Sequence, residues 1–189
     1  MYLMRTKILL LGDKGVGKTS LVNRWTGKRQ TADPTVGIEV TSHMIQIQNN
    51  IHRVRLSDTS GKDCYRTLLD TYIVSTNVVV IVYDVTSKPS LDVAITWVKH
   101  ATSILNEIPI YLVGNKIDRE SKRTVYPETV RHMLSEWSFD IMIHECSAAT
   151  GEKARDLYSS ILLNQGVIDS EIWTTYVPRT DSQSSCVCV

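Results

Sequence analysis

One stretch of the chain alternates between apolar and polar residues with a period of two. The alternation runs through residues 44–48 and again through 54–56, on either side of the pair Asn49-Asn50. Such alternation is typical of strands buried on one face, and a two-residue Asn turn between them favours a hairpin. We therefore predict two antiparallel strands, at 37–48 and 51–57.

Elsewhere the apolar residues form continuous runs, as they do in parallel strands covered on both faces. These runs lie at 7–11, 78–83, 108–113 and 141–143. Segments of helical length separate these runs, at 19–25, 91–105, 128–137 and 153–163. Ser90 is a candidate cap for the second of these helices, and Pro127 is a candidate first-turn residue for the third. This alternation predicts a three-layer α/β fold whose six-stranded, mostly parallel sheet has one antiparallel hairpin strand and helices on both faces.

Size and charge fit a single domain followed by a short tail. The chain has 189 residues, of which 42% are hydrophobic and 22% charged, and its formal net charge is +1. Such a balance gives no electrostatic reason to expect nucleic acid as a partner. Because the periodic pattern stops near residue 166, we expect a globular domain over 1–165 and a flexible tail over 166–189.

Membrane-spanning and disulfide-linked classes of protein are not indicated. No apolar run approaches the roughly 20 residues that span a bilayer, and the first residues lack the layout of a signal peptide. Cys64 and Cys146 are isolated, while Cys186 and Cys188 are one residue apart and have no companion His. These spacings favour neither a disulfide framework nor an ordinary zinc site. We expect reduced thiols and a cytosolic chain.

A glycine-rich segment between the first strand and the first helix has the spacing of a phosphate-binding loop. Gly12 is followed by four residues and then by Gly17-Lys18-Thr19, in the strand-loop-helix context that this motif requires. Backbone N–H groups converge there on phosphate oxygens, while the lysine adds a positive charge and the threonine hydroxyl binds Mg²⁺. The predicted phosphate-binding residues are Asp13, Lys14, Gly15, Val16, Gly17, Lys18, Thr19 and Ser20.

A second motif predicts which base is bound. Asn115, Lys116 and Asp118 follow the buried run that ends at Val113, at the end of a strand where α/β folds bind their ligands. A carboxylate at Asp118 can accept both the ring N–H and the exocyclic amine of guanine. Adenine lacks matching donors and would leave a buried carboxylate unpaired. The motif therefore predicts a guanine nucleotide and argues against an ATP-using kinase.

Two further segments are candidates for contacting the terminal phosphate of the nucleotide and its Mg²⁺ ion. Thr35 lies in the loop before the hairpin, and Asp58 and Gly61 follow its second strand. An aspartate at a strand end is the expected Mg²⁺ partner, and Gly61 can offer its N–H to the γ-phosphate.

These motifs, in this order and spacing, resemble the Ras superfamily of small GTPases over roughly residues 5 to 165. Within it, Thr35-Val36-Gly37-Ile38-Glu39 and Val82-Tyr83-Asp84-Val85-Thr86 are most similar to Rab proteins. The resemblance implies the P-loop NTPase fold, GTP/GDP and Mg²⁺ as cofactors, and a GTP-hydrolysing switch in vesicle traffic.

The resemblance also assigns roles to single residues. It implies that Thr35 joins Thr19 and Asp58 as a metal ligand and acts with Gly61 in catalysis. Glu145-Cys146-Ser147-Ala148 is similar to the last guanine-contacting loop of the family, which implies that the Ala148 N–H meets the base oxygen. The guanine site then comprises Asn115, Lys116, Asp118, Ser147, Ala148 and Ala149.

Two lysines depart from the family near the reacting phosphate. Lys62 stands where the family has the glutamine that orients the attacking water. An ammonium group only donates hydrogen bonds, although it could stabilise developing phosphate charge if it folded inward. We predict slow intrinsic hydrolysis, with a GTP-binding recruitment module that hardly hydrolyses as the alternative. Lys14 would crowd an activating protein's arginine finger unless it points to solvent.

The cover of the base and the partner surface depart from the family as well. Lys28 and Ala149 replace a common aromatic residue and a lysine, so we expect weaker binding unless the stem of Lys28 or Trp25 covers the base. Val40 and Ser57 replace the phenylalanine and tryptophan that Rab proteins usually carry on their partner surface.

The last four residues, Cys186-Val187-Cys188-Val189, resemble a prenylation signal. It can be a CaaX box on Cys186 or a variant of the Rab double-cysteine ending, so one or both thiols would be lipidated. The resemblance to Rab proteins implies that the protein is a monomer. It also implies that the protein cycles between the cytosol and the cytoplasmic face of an intracellular membrane. Effectors, exchange factors and GTPase-activating proteins would contact it near 33–40 and 58–72.

Overall fold

Strands and helices alternate along the part of the chain that the computed structural model describes, which comprises residues 4–29, 35–47, 50–61, 66–105, 108–135, 137 and 139–167. The strands are β1 Met4–Gly12, β2 Ile38–Ile47, β3 Asn50–Thr59, β4 Val78–Asp84, β5 Ile110–Asn115 and β6 Ile141–Cys146. The α-helices are α1 Lys18–Thr26, α2 Arg66–Val74, α3 Lys88–Ile104, α4 Pro127–Leu134 and α5 Ala154–Asn164, with a 3-10 helix at Ile117–Lys122.

The strands form one sheet in the order β2-β3-β1-β4-β5-β6. Only β2 runs antiparallel to its neighbour β3, and the other neighbouring strands are parallel. The predicted fold class, a three-layer α/β fold with a six-stranded, mostly parallel sheet and one antiparallel hairpin strand, is confirmed.

Strand burial follows from position in the sheet. Every residue of β4 and β5 is buried, which explains their continuous apolar sequences. The edge strand β6 is only partly buried. In β3, Val54 and Leu56 are buried whereas Arg53 and Arg55 are exposed, as the predicted alternation requires.

Two apolar layers enclose the sheet, and alternate residues of β1 belong to different layers. Ile8 and Leu10 pack with residues of α1 and α5, and the layer on that face also contains Trp25 and Tyr158. The opposite layer contains Leu9, Leu11 and residues of α2 and α3. Side chains of adjacent residues on a strand point to opposite faces, so the parity of a residue tells which layer it faces.

The local predictions differ from the structure at the hairpin and at two helices. Asn50 was predicted in the turn, but it begins β3 and pairs with Ile47 of β2. Helix α2 was not predicted, although Leu69 and Ile73 lie one helical turn apart and are both buried. Ser90 was predicted as a cap, but α3 begins at Lys88 and its N-cap is Ser87. Ser90 lies inside the first turn, where its hydroxyl donates to the Ser87 carbonyl at 2.7 Å.

Several predictions hold or stay untested. Pro127 opens α4, as predicted, although this helix ends at Leu134. Lys62, Cys64, Cys186 and Cys188 lie outside the described residues, as does most of the segment 166–189.

Candidate functional site

The predicted phosphate loop joins β1 to α1 at the carboxyl edge of the sheet. Gly17 precedes the first residue of α1 with φ 102°, in the left-handed region. A Cβ atom there would lie 2.2 Å from the Nδ2 atom of Asn115, so only glycine lets this amide approach the loop. The same Nδ2 donates to the carbonyl of Val16 at 2.8 Å.

Lys18 is buried beneath the loop. Its side-chain ammonium donates to the carbonyls of Gly12, at 3.0 Å, and Asp13, at 2.8 Å. Burial lowers the pKa of Lys18 to about 8, against the opposing influence of Asp58 and Asp13. A desolvated cation of this kind gains strongly from a nearby anion, so it fits a phosphate-binding role.

Three oxygen-bearing side chains from separate segments meet beside the loop. The hydroxyls of Thr19 and Thr35 lie 2.8 Å apart, and they donate to Oδ2 of Asp58 at 2.5 Å and 3.1 Å respectively. Asp58 is 2% exposed, and its Oδ1 has no hydrogen-bond partner within the described residues. Burial raises the pKa of Asp58, opposed mainly by the Thr19 hydrogen bond and the Lys18 charge.

This donor set fits Mg²⁺. The ion prefers oxygen ligands and is usually held through one or two carboxylates together with substrate phosphates. A cation beside Asp58 would also stabilise its ionised form and satisfy the orphaned oxygen. The three residues are the ones that the sequence predicts as metal ligands.

The segment after β3 packs directly against the phosphate loop. Gly61 has φ 68°, and a Cβ atom there would lie 2.7 Å from the backbone nitrogen of Lys14 and 2.9 Å from Nζ of Lys18. The backbone N–H of Ser60 donates to the carbonyl of Gly37 at 2.9 Å. The segments that follow Thr35 and Asp58 are therefore tied to each other as well as to the loop.

Asn115 connects the predicted base site to the phosphate loop. It is 1% exposed, and its Oδ1 accepts the backbone N–H of Ala148 at 2.9 Å while its Nδ2 binds the loop. Lys116 adopts φ 71°, and its ammonium donates to the carbonyl of Gly15 at 2.7 Å and pairs with Asp84 at 2.7 Å. Both residues thus organise the backbone of the loops around them.

Asp118 lies at the rim of this site. Its Oδ1 accepts the hydroxyl of Ser147 at 2.5 Å, which orients the carboxylate. Asp118 is exposed, although a buried carboxylate is expected from the sequence. The base itself would have to cover this carboxylate for the unpaired-charge penalty against adenine to operate. Ala148 is buried and Ala149 exposed in the same loop.

Arg24 contacts this loop and was missed by the sequence analysis. From α1, its Nε donates to the carbonyl of Ala148 at 3.0 Å, and its Nη2 donates to the carbonyl of Ala149. A helical arginine on an exposed face carries no signal of such a contact in the sequence, because the partners lie 124 and 125 residues away.

The side chains suggested as substitute cover for the base are engaged elsewhere. Trp25 is 2% exposed and stacks on Tyr158 with ring centroids 5.1 Å apart. Its indole N–H donates to the carbonyl of Ala154 at 2.8 Å. The Lys28 ammonium donates to the Thr41 hydroxyl on β2 at 3.1 Å. Trp25 is therefore part of the core, and Lys28 is tied to the sheet.

Lys14 is exposed, which agrees with the interpretation that it points to solvent. Its backbone N–H donates to Oδ1 of Asp13 at 2.6 Å. Ser20 is half-buried in the first turn of α1. With these residues, all of the predicted nucleotide-site positions that the structure describes lie around the carboxyl edge of β1, β3, β5 and β6.

Comparison with known proteins identifies the family. A model of the Ras family matches residues 7–165. The chain belongs to the Ras family. The Ras-related protein RABC2b of Arabidopsis thaliana is 32% identical to it over 166 residues, which cover 86% of this chain and 80% of RABC2b. The predicted resemblance to Rab proteins is thereby confirmed.

Membership of this family establishes the general function of the chain. Ras-family proteins are small GTPases that bind GTP and GDP through a P-loop, generally with Mg²⁺. No helix among the described residues is long and apolar enough to cross a membrane.

Proposed function

We propose that this Ras-family protein is a Mg²⁺-dependent GTP/GDP switch in intracellular membrane traffic. The observation that carries the proposal is the meeting of Thr19, Thr35 and Asp58. Thr19 belongs to the phosphate loop, whereas Thr35 and Asp58 begin the two segments that would report the γ-phosphate. A contact shared by these segments couples their conformation to the nucleotide.

The proposed work of each residue follows from its position. Thr19, Thr35 and Asp58 would hold Mg²⁺, which would neutralise charge on the β- and γ-phosphates. Lys18 would exchange the loop carbonyls that it now contacts for phosphate oxygens, and the backbone N–H of Gly61 would bind the γ-phosphate. The remaining loop N–H groups, from Asp13 to Ser20, would bind the other phosphates.

The proposed base site rests on Asp118 for guanine recognition, with Ser147 orienting its carboxylate. Ala148 would present its N–H to the base oxygen in place of Oδ1 of Asn115, to which it donates in the structure. The exposed Ala149 would add little cover to the base, so we propose weaker nucleotide binding than the motifs alone would suggest. Asn115 and Lys116 would hold the base site against the phosphate loop by donating to the carbonyls of Val16 and Gly15.

The domain arrangement and localisation are proposed from the sequence. Residues 1–165 would form the GTPase domain, to which Val167 still packs as a buried core residue. The rest of 166–189 would form a flexible tail that is prenylated at Cys186, Cys188 or both. The monomer would act at the cytoplasmic face of an intracellular membrane and cycle with the cytosol. Segments 33–40 and 58–72 would meet effectors, exchange factors and GTPase-activating proteins.

We further propose that GTP hydrolysis is slow, because Lys62 replaces a glutamine. An ammonium cannot accept a hydrogen bond from the attacking water. Single-turnover hydrolysis with Mg²⁺ tests this in the parent protein and in Lys62→Gln, with Lys122→Gln as a control that removes the same charge from an exposed surface. We expect faster hydrolysis in Lys62→Gln only. A parent protein as fast as Lys62→Gln would overturn the proposal.

A second candidate is a recruitment module that binds GTP and hardly hydrolyses it. Lys62 favours this function as well. The nucleotide that is bound to protein recovered from cells distinguishes the two functions. Mostly GTP in the purified protein would favour the recruitment module, and mostly GDP would favour the cycling switch.

A further inference from the structure

A cavity of about 280 Å³ lies on the side of the sheet that faces α2, away from the phosphate loop. Its floor comes from two neighbouring strands, β1 and β3, and its wall comes from the end of α2 and the turn that follows. The residues that line it are Lys7, Leu9, Arg55, Ser57, Thr71, Tyr72, Ser75 and Thr76.

Strand pairing explains why the cavity exists. Lys7 lies opposite Arg55 and Leu9 opposite Ser57 in the parallel register of β1 and β3. All four share the parity of residues that face α2. Ser57 is 7% exposed, and its small side chain leaves space where a bulky residue would fill the gap between β3 and α2.

The cavity has two cations and no matching acid. Neither Lys7 nor Arg55 forms an ion pair within the described part of the chain, and no carboxylate is among the lining residues. The carboxyl end of α2 adds a partial negative charge of about half a unit. Two full positive charges outweigh it, so the cavity favours an anion.

The surrounding groups specify what kind of anion fits. Ser57 and Thr71 bring hydroxyl groups, whereas Leu9 and Tyr72 give the cavity apolar walls. A carboxylate on a short aliphatic stem matches this combination, since the stem contacts the walls while the oxygens meet the donors. A recessed cavity suits a single side chain of a protein better than the broad surface of a membrane.

We propose that this cavity binds an aspartate or glutamate side chain of a partner protein, between the ammonium of Lys7 and the guanidinium of Arg55. The inference rests on the proposed switch function in one respect, namely that proteins dock near α2. It gives the chemistry of the partner: an acidic group at the centre of the interface.

A peptide selection tests the proposal on the full chain. A random peptide library is selected against the protein loaded with GDP or with a non-hydrolysable GTP analogue, and enriched peptides are measured by fluorescence anisotropy. We expect a shared Asp or Glu whose replacement by Asn or Gln weakens binding. Lys7→Gln/Arg55→Gln should weaken binding about tenfold or more, because charge-assisted hydrogen bonds are lost.

A matched double variant distinguishes binding in the cavity from a general electrostatic effect of the surface charges. Arg5→Gln/Arg53→Gln removes the same charge from the next pair along the same strands, on the same face and outside the lining. We expect less than about a threefold change, since exposed charges beyond the contact are screened. Ser57→Trp, which fills the cavity without changing charge, should weaken binding as strongly as the cavity double variant.

Several outcomes would overturn the proposal: no enriched peptide, enriched peptides without a shared acid, or equal weakening in both double variants. If the parent protein binds phosphatidylserine vesicles and both double variants lose this binding equally, the cations serve membrane binding instead. Binding of a fluorescent GDP analogue is measured in every protein. Its absence from the parent protein would refute the proposed switch function, whereas its presence beside a negative peptide result would refute only this inference.

Discussion

Arg24 provides a quantitative test of how the loop at 147–149, the proposed base-binding loop, is held in place. Its guanidinium donates to the carbonyls of Ala148 and Ala149, next to the N–H that is proposed to meet the base. We expect Arg24→Gln to loosen this loop and to speed the release of nucleotide. The phosphate loop and Asn115 stay intact, so binding should weaken without being abolished.

The expected size of the effect follows from the two hydrogen bonds. A buried hydrogen bond to a charged group contributes about 1.5–3 kcal/mol, but Arg24 is exposed, so solvent screening reduces the contribution. We take about 1–2 kcal/mol for the pair, which corresponds to roughly a 5- to 30-fold weaker Kd. Most of this change in Kd should come from faster dissociation of the nucleotide.

Release of a fluorescent GDP analogue, chased with excess GDP, measures that rate directly. Arg24→Lys should lie between the parent and Arg24→Gln, because an ammonium keeps the charge but not the two-pronged geometry. Arg131→Gln, which removes an exposed arginine of α4, serves as the charge control and should release at the parent rate. Release from Arg24→Gln within about twofold of the control would refute the reasoning.

Two further predictions concern stability and the phosphate loop. Burial lowers the pKa of His43 to about 4, so the unfolded chain binds the additional proton and stability falls as the pH drops from about 6.5 towards 4. Between pH 7 and pH 5, urea unfolding should show that the parent protein loses about 2 kcal/mol more stability than His43→Phe. An equal loss in both proteins would contradict this. Gly17→Ala should abolish binding of the fluorescent GDP analogue because its Cβ would collide with Asn115. Gly166→Ala, where φ is positive but the space is open, should cost about 1–2 kcal/mol of stability and leave binding intact. Binding retained in Gly17→Ala would contradict the collision with Asn115.

The sheet and the phosphate site could be predicted because their signals are local. A buried parallel strand such as β4 has a continuous apolar sequence, and the phosphate loop has fixed glycine, lysine and threonine positions between a strand and a helix. Asp118 was predicted for the same reason, since a strand end places it at the ligand-binding edge.

The remaining features depend on tertiary contacts that leave no periodic trace. Arg24 meets a loop more than a hundred residues away, and Trp25 is drawn into the core by Tyr158 instead of covering the base. Ser57 could be recognised as unusual from the sequence, but the cavity it leaves needs the register of β1 and β3 and the position of α2.

The identity of the nucleotide bound after purification tests the central proposal most directly. The protein is denatured, and the released nucleotide is identified by anion-exchange chromatography and mass spectrometry, with and without prior removal of Mg²⁺ by a chelator. We predict about one GDP or GTP per chain from the untreated protein, and much less after chelation because Thr19, Thr35 and Asp58 would lose their shared ion. An adenine nucleotide, or a guanine nucleotide whose retention is indifferent to chelation, would contradict a Mg²⁺-dependent guanine switch.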